Sequence, residues 1–264
     1  MISTTFLFTN SSKALSRYPD AIEMYAAMSL RDDDGPVTKP FDLAWVQEVR
    51  FGVLAAVPLP GGTEPVPDAV LARLHPEERA LVTAERGRRQ IEYAGGRLAA
   101  REAARVAGID WPPLLSGAER EPLVPPGVTA SISHKNDLAI ALVARSQHGL
   151  VGIDLEGDGR NRMTIASKVC RPEELAEVEA LPEPERWPAV MTRFAVKEAV
   201  YKAVYPIVRH FFGFQAARVA VPSGEVTLLL PPEDPAVQTE TEVRWLSNER
   251  VLAMVRANRE GGGG

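Results

Sequence analysis

Two carboxylates stand two residues apart in the stretch VGIDLE, residues 151–156. Successive side chains on a strand point to opposite faces, so Asp154 and Glu156 share one face and Leu155 takes the other. Two adjacent anions repel each other, and a bound cation would relieve that repulsion. Oxygen ligands suit Mg²⁺, which uses one or two protein carboxylates and borrows phosphate oxygens from a substrate. Taken alone, however, the pair is also explained as a solvated strand end.

Charged side chains also stand together in RFAVKEAVYKAV, residues 193–204, where the apolar residues recur at helical spacing. Glu198 and Lys202 are four residues apart and therefore lie on the same helix face. One explanation is a surface ion pair worth about 0.3–0.5 kcal/mol. The other starts from Lys197, directly beside Glu198, because cations flanking a carboxylate would suit a site that handles a metal and phosphates.

The stretch SISHK, residues 131–135, places a serine beside a histidine. Adjacent strand residues face opposite ways, so Ser133 and His134 cannot easily act as a nucleophile and its base. His134 at a strand end could instead meet a phosphate, with Ser133 donating a hydrogen bond to it. The alternative is that His134 is a packed structural residue.

Arginines crowd the helical region ERGRRQIEYAGGRLAAREAAR, residues 85–105. Arg89, Arg97 and Arg101 fall within about one helix face, at offsets of eight and four. Most of these arginines are expected to be solvated charge, but one or two could make bidentate phosphate contacts. Other signatures are absent from the sequence, which has no GxxxxGKS/T loop, strand-linked GxGxxG, CxxC or HExxH.

The elements that must position these residues follow from the hydrophobic pattern. Residues 49–57 predict a buried strand, and residues 67–74 and 76–107 predict helices. Three short β-like runs at 129–134, 137–144 and 150–156 are separated by turn signals and indicate a meander. Helices are predicted between about 171 and 208, and four β-like runs end the chain: ARVAV, VTLLL, EVRW and RVLAMVR. No internal repeat is apparent.

This order of strands and helices predicts an α+β fold in two similar-sized halves that meet near residues 147–150. The 264 residues carry a formal net charge of −5, which argues against a protein that mainly coats nucleic acid. The single cysteine, Cys170, excludes an intramolecular disulfide and suits the cytosol. No apolar run approaches the roughly 18 residues of a membrane span, and the N-terminus lacks the features of a secretory signal. We therefore expect a cytoplasmic protein without membrane insertion.

Taken together, these stretches resemble the 4′-phosphopantetheinyl transferases. The signature pair of that family is similar to GIDLE at 152–156 followed by FAVKEAVYK at 194–202. The stretches SISH at 131–134 and RQIEYAGGR at 89–97 resemble two further motifs of the family, in the correct order. The continuation after Lys202 is similar to the surfactin-activating (Sfp) type, especially its enterobactin-associated branch. One departure is Phe194, where many members carry Trp, and residues 1–70 carry no recognisable motif.

The resemblance implies two related α+β halves with pseudo-twofold symmetry and an active site in the cleft between them. Residues 1–148 would form the half that contacts coenzyme A, and residues 149–264 the half with the metal ligands, ending in a GGGG tail. The implied reaction moves 4′-phosphopantetheine from coenzyme A to a serine of an apo acyl, aryl or peptidyl carrier protein and releases 3′,5′-ADP. We expect a monomer with no nucleic-acid partner.

The resemblance also implies roles for individual residues. Mg²⁺ would be bound by Asp154, Glu156 and Glu198, and Glu198 would also act as the base for the carrier serine. Lys202 would stabilise the leaving phosphate, whereas Lys197 would hold coenzyme A or the helix geometry. The remaining contacts to coenzyme A would come from Ser133 and His134 at the 3′-phosphate and from Arg89, Arg97 and Arg120 elsewhere.

Two alternatives remain open from the sequence. One is a different Mg²⁺-dependent enzyme that cleaves pyrophosphates of nucleotides with the same carboxylates. The other is a non-catalytic domain that binds coenzyme A or a carrier protein. The trio of Asp154, Glu156 and Glu198 speaks against the second alternative, because a binding module would not require it.

Overall fold

The structure is a computed structural model that describes residues 39–117, 121–157, 161–247 and 250–261. It combines helices and sheets, which confirms the predicted α+β class. Arg120 and residues 262–264 of the glycine tail lie outside the described residues, as does the chain before residue 39. No helix within the described ranges is long and apolar enough to cross a membrane.

The first half contains a four-stranded antiparallel sheet in the order β1-β2-β6-β5. Its strands and those of a small hairpin are β1 Trp45–Val49, β2 Gly52–Pro58, β3 Leu115–Ser116, β4 Pro122–Leu123, β5 Val128–Lys135 and β6 Leu138–Arg145. Its helices are α1 Asp68–Leu71, α2 Pro76–Ala84 and α3 Gly87–Val106. The strand predicted at 49–57 therefore covers the last residue of β1, the turn after it and most of β2. The helix predicted at 76–107 is interrupted at residues 85–86.

The second half contains a three-stranded antiparallel sheet in the order β10-β11-β7. Its strands are β7 Leu150–Glu156, β8 Ala217–Val219, β9 Val226–Leu228, β10 Val237–Ser247 and β11 Arg250–Arg259, with β8 and β9 forming a separate hairpin. Its helices are α4 Ala166–Val169, α5 Pro172–Glu179 and α6 Glu183–Val208. The helices and final strands predicted for this half are confirmed.

The predicted meander is wrong in its third strand. Strands β5 and β6 pair as expected, but β7 pairs with β11 about one hundred residues further along the chain. Three apolar runs in a row cannot reveal this change, because a strand buried on both faces has the same pattern in either sheet. Along the chain, β6 is the last strand of the first sheet and β7 is the first strand of the second. This change of sheet falls close to the division predicted between residues 148 and 149. The domain boundary itself stays a prediction.

Apolar side chains join the two sheets. Leu54 and Ile140 of the first sheet share one buried cluster with Ile153 and Leu252 of the second. The opposite face of the first sheet is covered by α3, which buries Ile91 and its apolar neighbours. Helix α6 covers the opposite face of the second sheet. Each half is thus a sheet with one long helix on it, and burial of these apolar faces is the main stabilising term.

The two halves repeat one order of elements. From β2 and from β7 onward, each runs strand, two short helices, one long helix, a two-stranded hairpin and then an antiparallel pair whose last strand joins the first. The spatial order β2-β6-β5 of the first half matches β7-β11-β10 of the second. This repetition agrees with the predicted pair of similar halves, while the pseudo-twofold axis itself stays a prediction.

An internal repeat that is not apparent from the sequence alone becomes visible when the two halves are compared. Pro-Glu-Glu opens α2 at residues 76–78 and α5 at residues 172–174. RLAAREA at 97–103 in α3 returns as RFAVKEA at 193–199 in α6, at the same offset. Only some positions are identical between the two stretches, so the similarity becomes visible only when the matching helices are compared.

A fully buried glutamate in each half shows what the repeat preserves. Glu78 accepts hydrogen bonds from Arg101 at 2.6 Å and from the backbone N–H of Leu114 at 2.8 Å. Glu174 accepts from Lys197 at 2.5 Å and from the backbone N–H of Val219 at 2.6 Å. Each glutamate also caps its own helix N-terminus. Breaking such a buried pair typically costs about 3–5 kcal/mol, so these pairs lock α3 and α6 onto the preceding helices.

Candidate active site

A cavity of about 640 Å³ lies between the two halves. Helix α3 and the β3–β4 hairpin form one wall, α6 forms the other, and β5 and the start of β7 contribute to both. The lining includes several side chains singled out in the sequence and aromatic residues beside them: Tyr93, Arg97, His134, Glu198, Tyr201, Lys202 and Tyr205. The cleft thus collects chemistry from segments more than one hundred residues apart.

Gly152 sets how close α6 lies to strand β7. A Cβ atom at this position would stand 1.9 Å from the backbone oxygen of Ala199 and 2.8 Å from the nitrogen of Ala203, both in α6. The helix backbone therefore rests directly on the strand. This close contact brings Lys202 over β7, where its ammonium donates to the Ile153 carbonyl at 2.9 Å.

We expect Gly152→Ala to destabilise the protein by about 1–3 kcal/mol, because the added methyl group must push the α6 backbone away from β7. Transfer activity should fall as well, since Glu198 and Lys202 move with that helix. Thermal unfolding and the reaction rate measure the two effects. Gly61→Ala is the control, since no atom lies within 4 Å of a Cβ there and its effect should be small. An unchanged Gly152→Ala protein would contradict the close packing.

Asp154 is buried on β7, does not itself line the cavity, and is held by two donors. Its Oδ1 accepts a hydrogen bond from Lys202 Nζ at 2.7 Å and from Ser133 Oγ at 2.9 Å. Its Oδ2 is buried and has no hydrogen-bond partner among the described residues. A buried carboxylate oxygen without a partner is costly, and a bound cation would satisfy it.

Glu156 lies on the same face of β7 and has a different cation. Its Oε2 accepts from Lys135 Nζ at 2.6 Å. Burial raises the pKa of the Glu156 carboxyl, Lys135 opposes that change, and the negative charge of Asp154 adds to it. The repulsion inferred from the sequence is therefore present, although each carboxylate is partly compensated by its own lysine.

Glu198 faces both carboxylates from α6. Burial raises the pKa of the Glu198 carboxyl, the charges of Asp154 and Glu156 raise it further, and Lys202 lowers it. Within the described ranges, no side chain forms a hydrogen bond or ion pair with the Glu198 carboxylate. The surface pair of Glu198 with Lys202, one of the two explanations considered for this helix face, is therefore not formed, because Lys202 pairs with Asp154.

The three carboxylates offer the oxygen ligands that a hard cation prefers, but their positions do not form a metal-binding geometry. Among the residues that the structure describes, no group of three or more His, Cys, Asp or Glu side chains has metal-binding geometry. Asp154 and Glu156 are paired with Lys202 and Lys135 instead. The unpaired Oδ2 of Asp154 and the oxygen-only donor set still suit Mg²⁺ rather than a softer metal.

Ser133 and His134 point to opposite sides of β5, as predicted. The Ser133 hydroxyl faces β7 and Asp154, whereas the His134 ring borders the cleft. His134 Nδ1 lies 3.4 Å from Glu92 Oε1. Burial lowers the pKa of the His134 imidazole, and Lys202 and Arg88 add to that change, while Glu92 and Asp154 oppose it. His134 therefore combines a positioning carboxylate on one side with access to the cleft.

Arg89 and Arg97 enclose the ring of Tyr93. The two guanidinium carbons lie 4.7 Å and 4.6 Å from the ring centroid. Arg89 also donates to the Tyr93 hydroxyl at 2.8 Å and pairs with Glu85. Arg97 is buried, which lowers its pKa, and it donates to Ser116 Oγ at 3.2 Å. Of the two arginines, Arg97 lines the cavity, and Arg89 is linked to it through Tyr93.

Lys197 is placed away from the cleft, which corrects its assignment to coenzyme A. Its side chain is 1% exposed, and its ammonium donates to Glu174 and to the Val169 carbonyl. Its counterpart in the sequence repeat, Arg101, has the same role with Glu78. Lys197 therefore holds the helix geometry, the other role considered for it. The expectation for Arg120 lies outside the described residues.

Three further residues near the cleft were not predicted from the sequence to belong to the site. Tyr93 is four residues from each of Arg89 and Arg97, a helical spacing that could have indicated the stack. Glu92 stands one residue earlier and carries no comparable signal. Lys135, directly after His134, pairs with Glu156 across two strands, a contact that only the tertiary structure reveals.

The fold and cleft together define a class of protein. Carboxylates beside arginine, lysine and histidine, at the junction of two α+β halves, suit an enzyme that handles phosphorylated substrates. The candidate metal ligands Asp154, Glu156 and Glu198 belong to the second half, whereas Arg97 and His134 of the cavity wall belong to the first.

Comparison with known proteins identifies the family. Residues 77–144 match the 4′-phosphopantetheinyl transferase N-terminal domain, and residues 150–255 match the 4′-phosphopantetheinyl transferase superfamily. The transferase Svp of Streptomyces mobaraensis is 33% identical over 70% of this chain and 79% of its own. Enterobactin synthase component D of Salmonella typhimurium is 32% identical over 64% and 73%, and PptT of Mycobacterium tuberculosis is 30% identical over 54% and 63%. The chain belongs to the 4′-phosphopantetheinyl transferase superfamily.

The family predicted from the motifs, including its similarity to the enterobactin-associated branch, is thereby confirmed. The expected activity, transfer of phosphopantetheine to carrier proteins, is confirmed with it. Phe194, where many members carry Trp, packs edge-on against Phe214 with ring centroids 5.5 Å apart. This aromatic contact preserves the packing of α6 despite the smaller ring.

Proposed function

We propose that this protein uses Mg²⁺ to transfer the 4′-phosphopantetheine of coenzyme A to a serine of an apo carrier protein, with release of 3′,5′-ADP. The observation that carries the proposal is the placement of Glu198 and Lys202 in one cavity with Arg97 and His134. Glu198 and these cations are thus within reach of one substrate, and Lys202 links the cavity to Asp154, which lies behind it.

The metal would be held by Asp154, through its unpaired Oδ2, together with Glu156 and Glu198. When bound, Mg²⁺ supplies charge neutralisation and orientation for the pyrophosphate of coenzyme A. Lys135 and Lys202 now compensate the charges of Glu156 and Asp154. Both lysines are therefore available to turn toward substrate phosphates once a cation takes over that compensation.

Glu198 is the proposed base for the carrier serine. Its carboxylate lines the cavity and forms no ion pair with Lys202, so it can accept the serine proton there. The serine oxygen forms a bond to the phosphorus of phosphopantetheine, its proton passes to Glu198, and the bond from that phosphorus to 3′,5′-ADP breaks. Lys202 is placed to stabilise the oxygen of the leaving phosphate.

The contacts to coenzyme A follow from the cationic side of the cleft. His134 and Arg97 line the cavity directly and are the proposed phosphate contacts. Arg89 is held by Tyr93 next to Arg97 and would extend the same surface. Contacts from Ser133 and Arg120 to coenzyme A stay predictions of the motif resemblance.

The test is mass spectrometry of an apo carrier protein incubated with the enzyme, coenzyme A and Mg²⁺. The proposed function adds one phosphopantetheine mass to the carrier and yields 3′,5′-ADP in equal amount. Cleavage of coenzyme A without carrier modification would favour the alternative enzyme of pyrophosphate chemistry. Binding of coenzyme A without either product would favour the non-catalytic domain. Omitting Mg²⁺ and adding a chelator tests the metal separately.

We expect His134→Ala to weaken the binding of coenzyme A more than that of dephospho-coenzyme A, which lacks the 3′-phosphate. The loss of a charge-assisted contact should cost about 1.5–3 kcal/mol for coenzyme A alone. Calorimetry with both ligands measures the difference. His148→Ala is the control, because this exposed histidine of the connection before β7 does not line the cavity. Equal losses for both ligands would identify His134 as a structural residue.

A cytoplasmic location and a monomeric state belong to the same proposal. The only cysteine, Cys170, is buried and free, which suits a reducing compartment. Both halves of the cleft come from one chain, so a single protomer could hold the complete site. Sedimentation analysis of the purified protein tests the oligomeric state.

A further inference from the structure

A row of hydroxyl groups joins the two sheets where β5 runs beside β7. The acceptors are the buried side-chain oxygens of Thr129, Ser131 and Ser133. The donors are the backbone N–H groups of Val151, Ile153 and Leu155, at 3.0, 3.0 and 3.2 Å. The hydroxyl oxygens of alternate β5 residues thus accept hydrogen bonds from the backbone N–H groups along one edge of β7, as the carbonyls of a paired strand would. We call these three contacts the hydroxyl ladder.

Ser133 differs from the other two members of the hydroxyl ladder because it also contacts a charged group. Its hydroxyl donates its single proton to Asp154 Oδ1 at 2.9 Å while accepting from Leu155. A phosphate oxygen at pH 7 needs a donor, and a serine hydroxyl has only one proton. Ser133 therefore cannot donate to a phosphate of coenzyme A without releasing Asp154.

We propose that Ser133 is a positioning residue for the metal ligand Asp154 rather than a phosphate contact; this inference rests on the proposed function. Ser133 and Lys202 both bind Oδ1, so the carboxylate is held in one orientation and Oδ2 is the oxygen left without a partner. Groups that orient a metal ligand through a hydrogen bond strongly influence metal affinity.

The position of Ser133 gives the contact a second consequence. His134 is its neighbour on β5 and borders the cleft on the opposite side of the strand. Asp154 belongs to β7, in the other half of the protein. The hydroxyl ladder therefore fixes the distance between a phosphate-binding residue of the first half and a metal ligand of the second. The hydrogen bond between Ser133 and the backbone of Leu155 therefore links the phosphate-binding part of the site to the metal-binding part.

The experiment compares Ser133→Ala with Ser131→Ala. Both changes remove one acceptor for a β7 N–H group, so both should lower the unfolding temperature. Only the first also releases Asp154. Metal binding is measured by electron paramagnetic resonance with Mn²⁺ as a spectroscopic substitute for Mg²⁺, with no carrier protein present. We expect about 10–100-fold weaker Mn²⁺ binding for Ser133→Ala and parental binding for Ser131→Ala.

A conservative variant and a second ligand complete the test. Ser133→Thr keeps the hydroxyl, as Thr129 does two rungs away, and should restore Mn²⁺ binding. Where the alanine variants do not fold, Ser133→Cys and Ser131→Cys replace them, because a thiol is a weaker donor of similar size. The affinities for coenzyme A and dephospho-coenzyme A should decrease by the same factor, if at all, in Ser133→Ala.

Three results would overturn the proposal. Equal Mn²⁺ binding by the Ser131 and Ser133 variants would make Ser133 an ordinary member of the hydroxyl ladder. A selective loss of coenzyme A over dephospho-coenzyme A would assign Ser133 to the 3′-phosphate. No Mn²⁺ binding by the parent would remove the metal site on which the inference depends. The carrier mass assay on the parent protein is independent of these variants, so failure of the proposed function is recognised separately.

Discussion

Replacing Glu198 by Gln is expected to lower the transfer rate by at least about 100-fold, the low end for a lost general base. The change keeps the shape of the side chain but removes its negative charge and most of its basicity. Coenzyme A should still bind with nearly parental affinity, since the proposed phosphate contacts come from Arg97, His134 and Lys202. Calorimetry and the rate of carrier modification, measured on one preparation, separate binding from chemistry.

The sequence repeat supplies a matched control for this prediction. Glu102 occupies the position in α3 that Glu198 occupies in α6. It pairs with Arg105 on the surface instead of facing other carboxylates. Glu102→Gln should therefore cost a few tenths of a kcal/mol in stability and leave transfer unchanged. A Glu198→Gln protein that transfers phosphopantetheine as fast as this control would remove Glu198 from the mechanism.

The partner of each lysine in α6 could not be predicted from the sequence. Helical spacing correctly places Glu198 and Lys202 on one face, but it leaves open a local ion pair between them. Lys202 instead binds Asp154, which lies 48 residues earlier in the chain. Lys197 likewise finds Glu174 in the preceding helix. A local pattern identifies which residues are charged and which face they share, whereas packing decides which opposite charge they meet.

The alternation of side chains along a strand could be predicted from the sequence, but the partner of the strand could not. Alternation correctly placed Asp154 with Glu156 and separated Ser133 from His134, because this depends only on the local backbone. The pairing of β7 with β11 depends on a strand about one hundred residues away and was missed. The hydroxyl ladder was missed for the same reason, since three polar residues on alternate positions of β5 look like an ordinary solvated strand face.

The structure changes what we expect for the stability of an Asp154 variant. Two adjacent carboxylates alone suggest that Asp154→Ala relieves repulsion and leaves the fold unharmed. In the structure, Asp154 also accepts from Lys202 and Ser133, so its removal leaves two donors without their partner. Lys202 keeps 29% side-chain exposure and can be solvated, which limits the cost to about 1 kcal/mol. The protein should therefore fold, with a slightly lower unfolding temperature.

Transfer by Asp154→Ala should nevertheless be abolished at low Mg²⁺, because one of three anionic ligands and the unpaired oxygen Oδ2 are both lost. The measurements are the transfer rate as a function of Mg²⁺ concentration, Mn²⁺ binding by electron paramagnetic resonance, and thermal unfolding. Asp137→Ala is the control, since this exposed aspartate pairs with Arg250 outside the cavity. Parental turnover by Asp154→Ala at low Mg²⁺ would contradict the metal assignment. A loss of activity together with parental Mn²⁺ binding would shift the role of Asp154 from the metal to the orientation of Lys202.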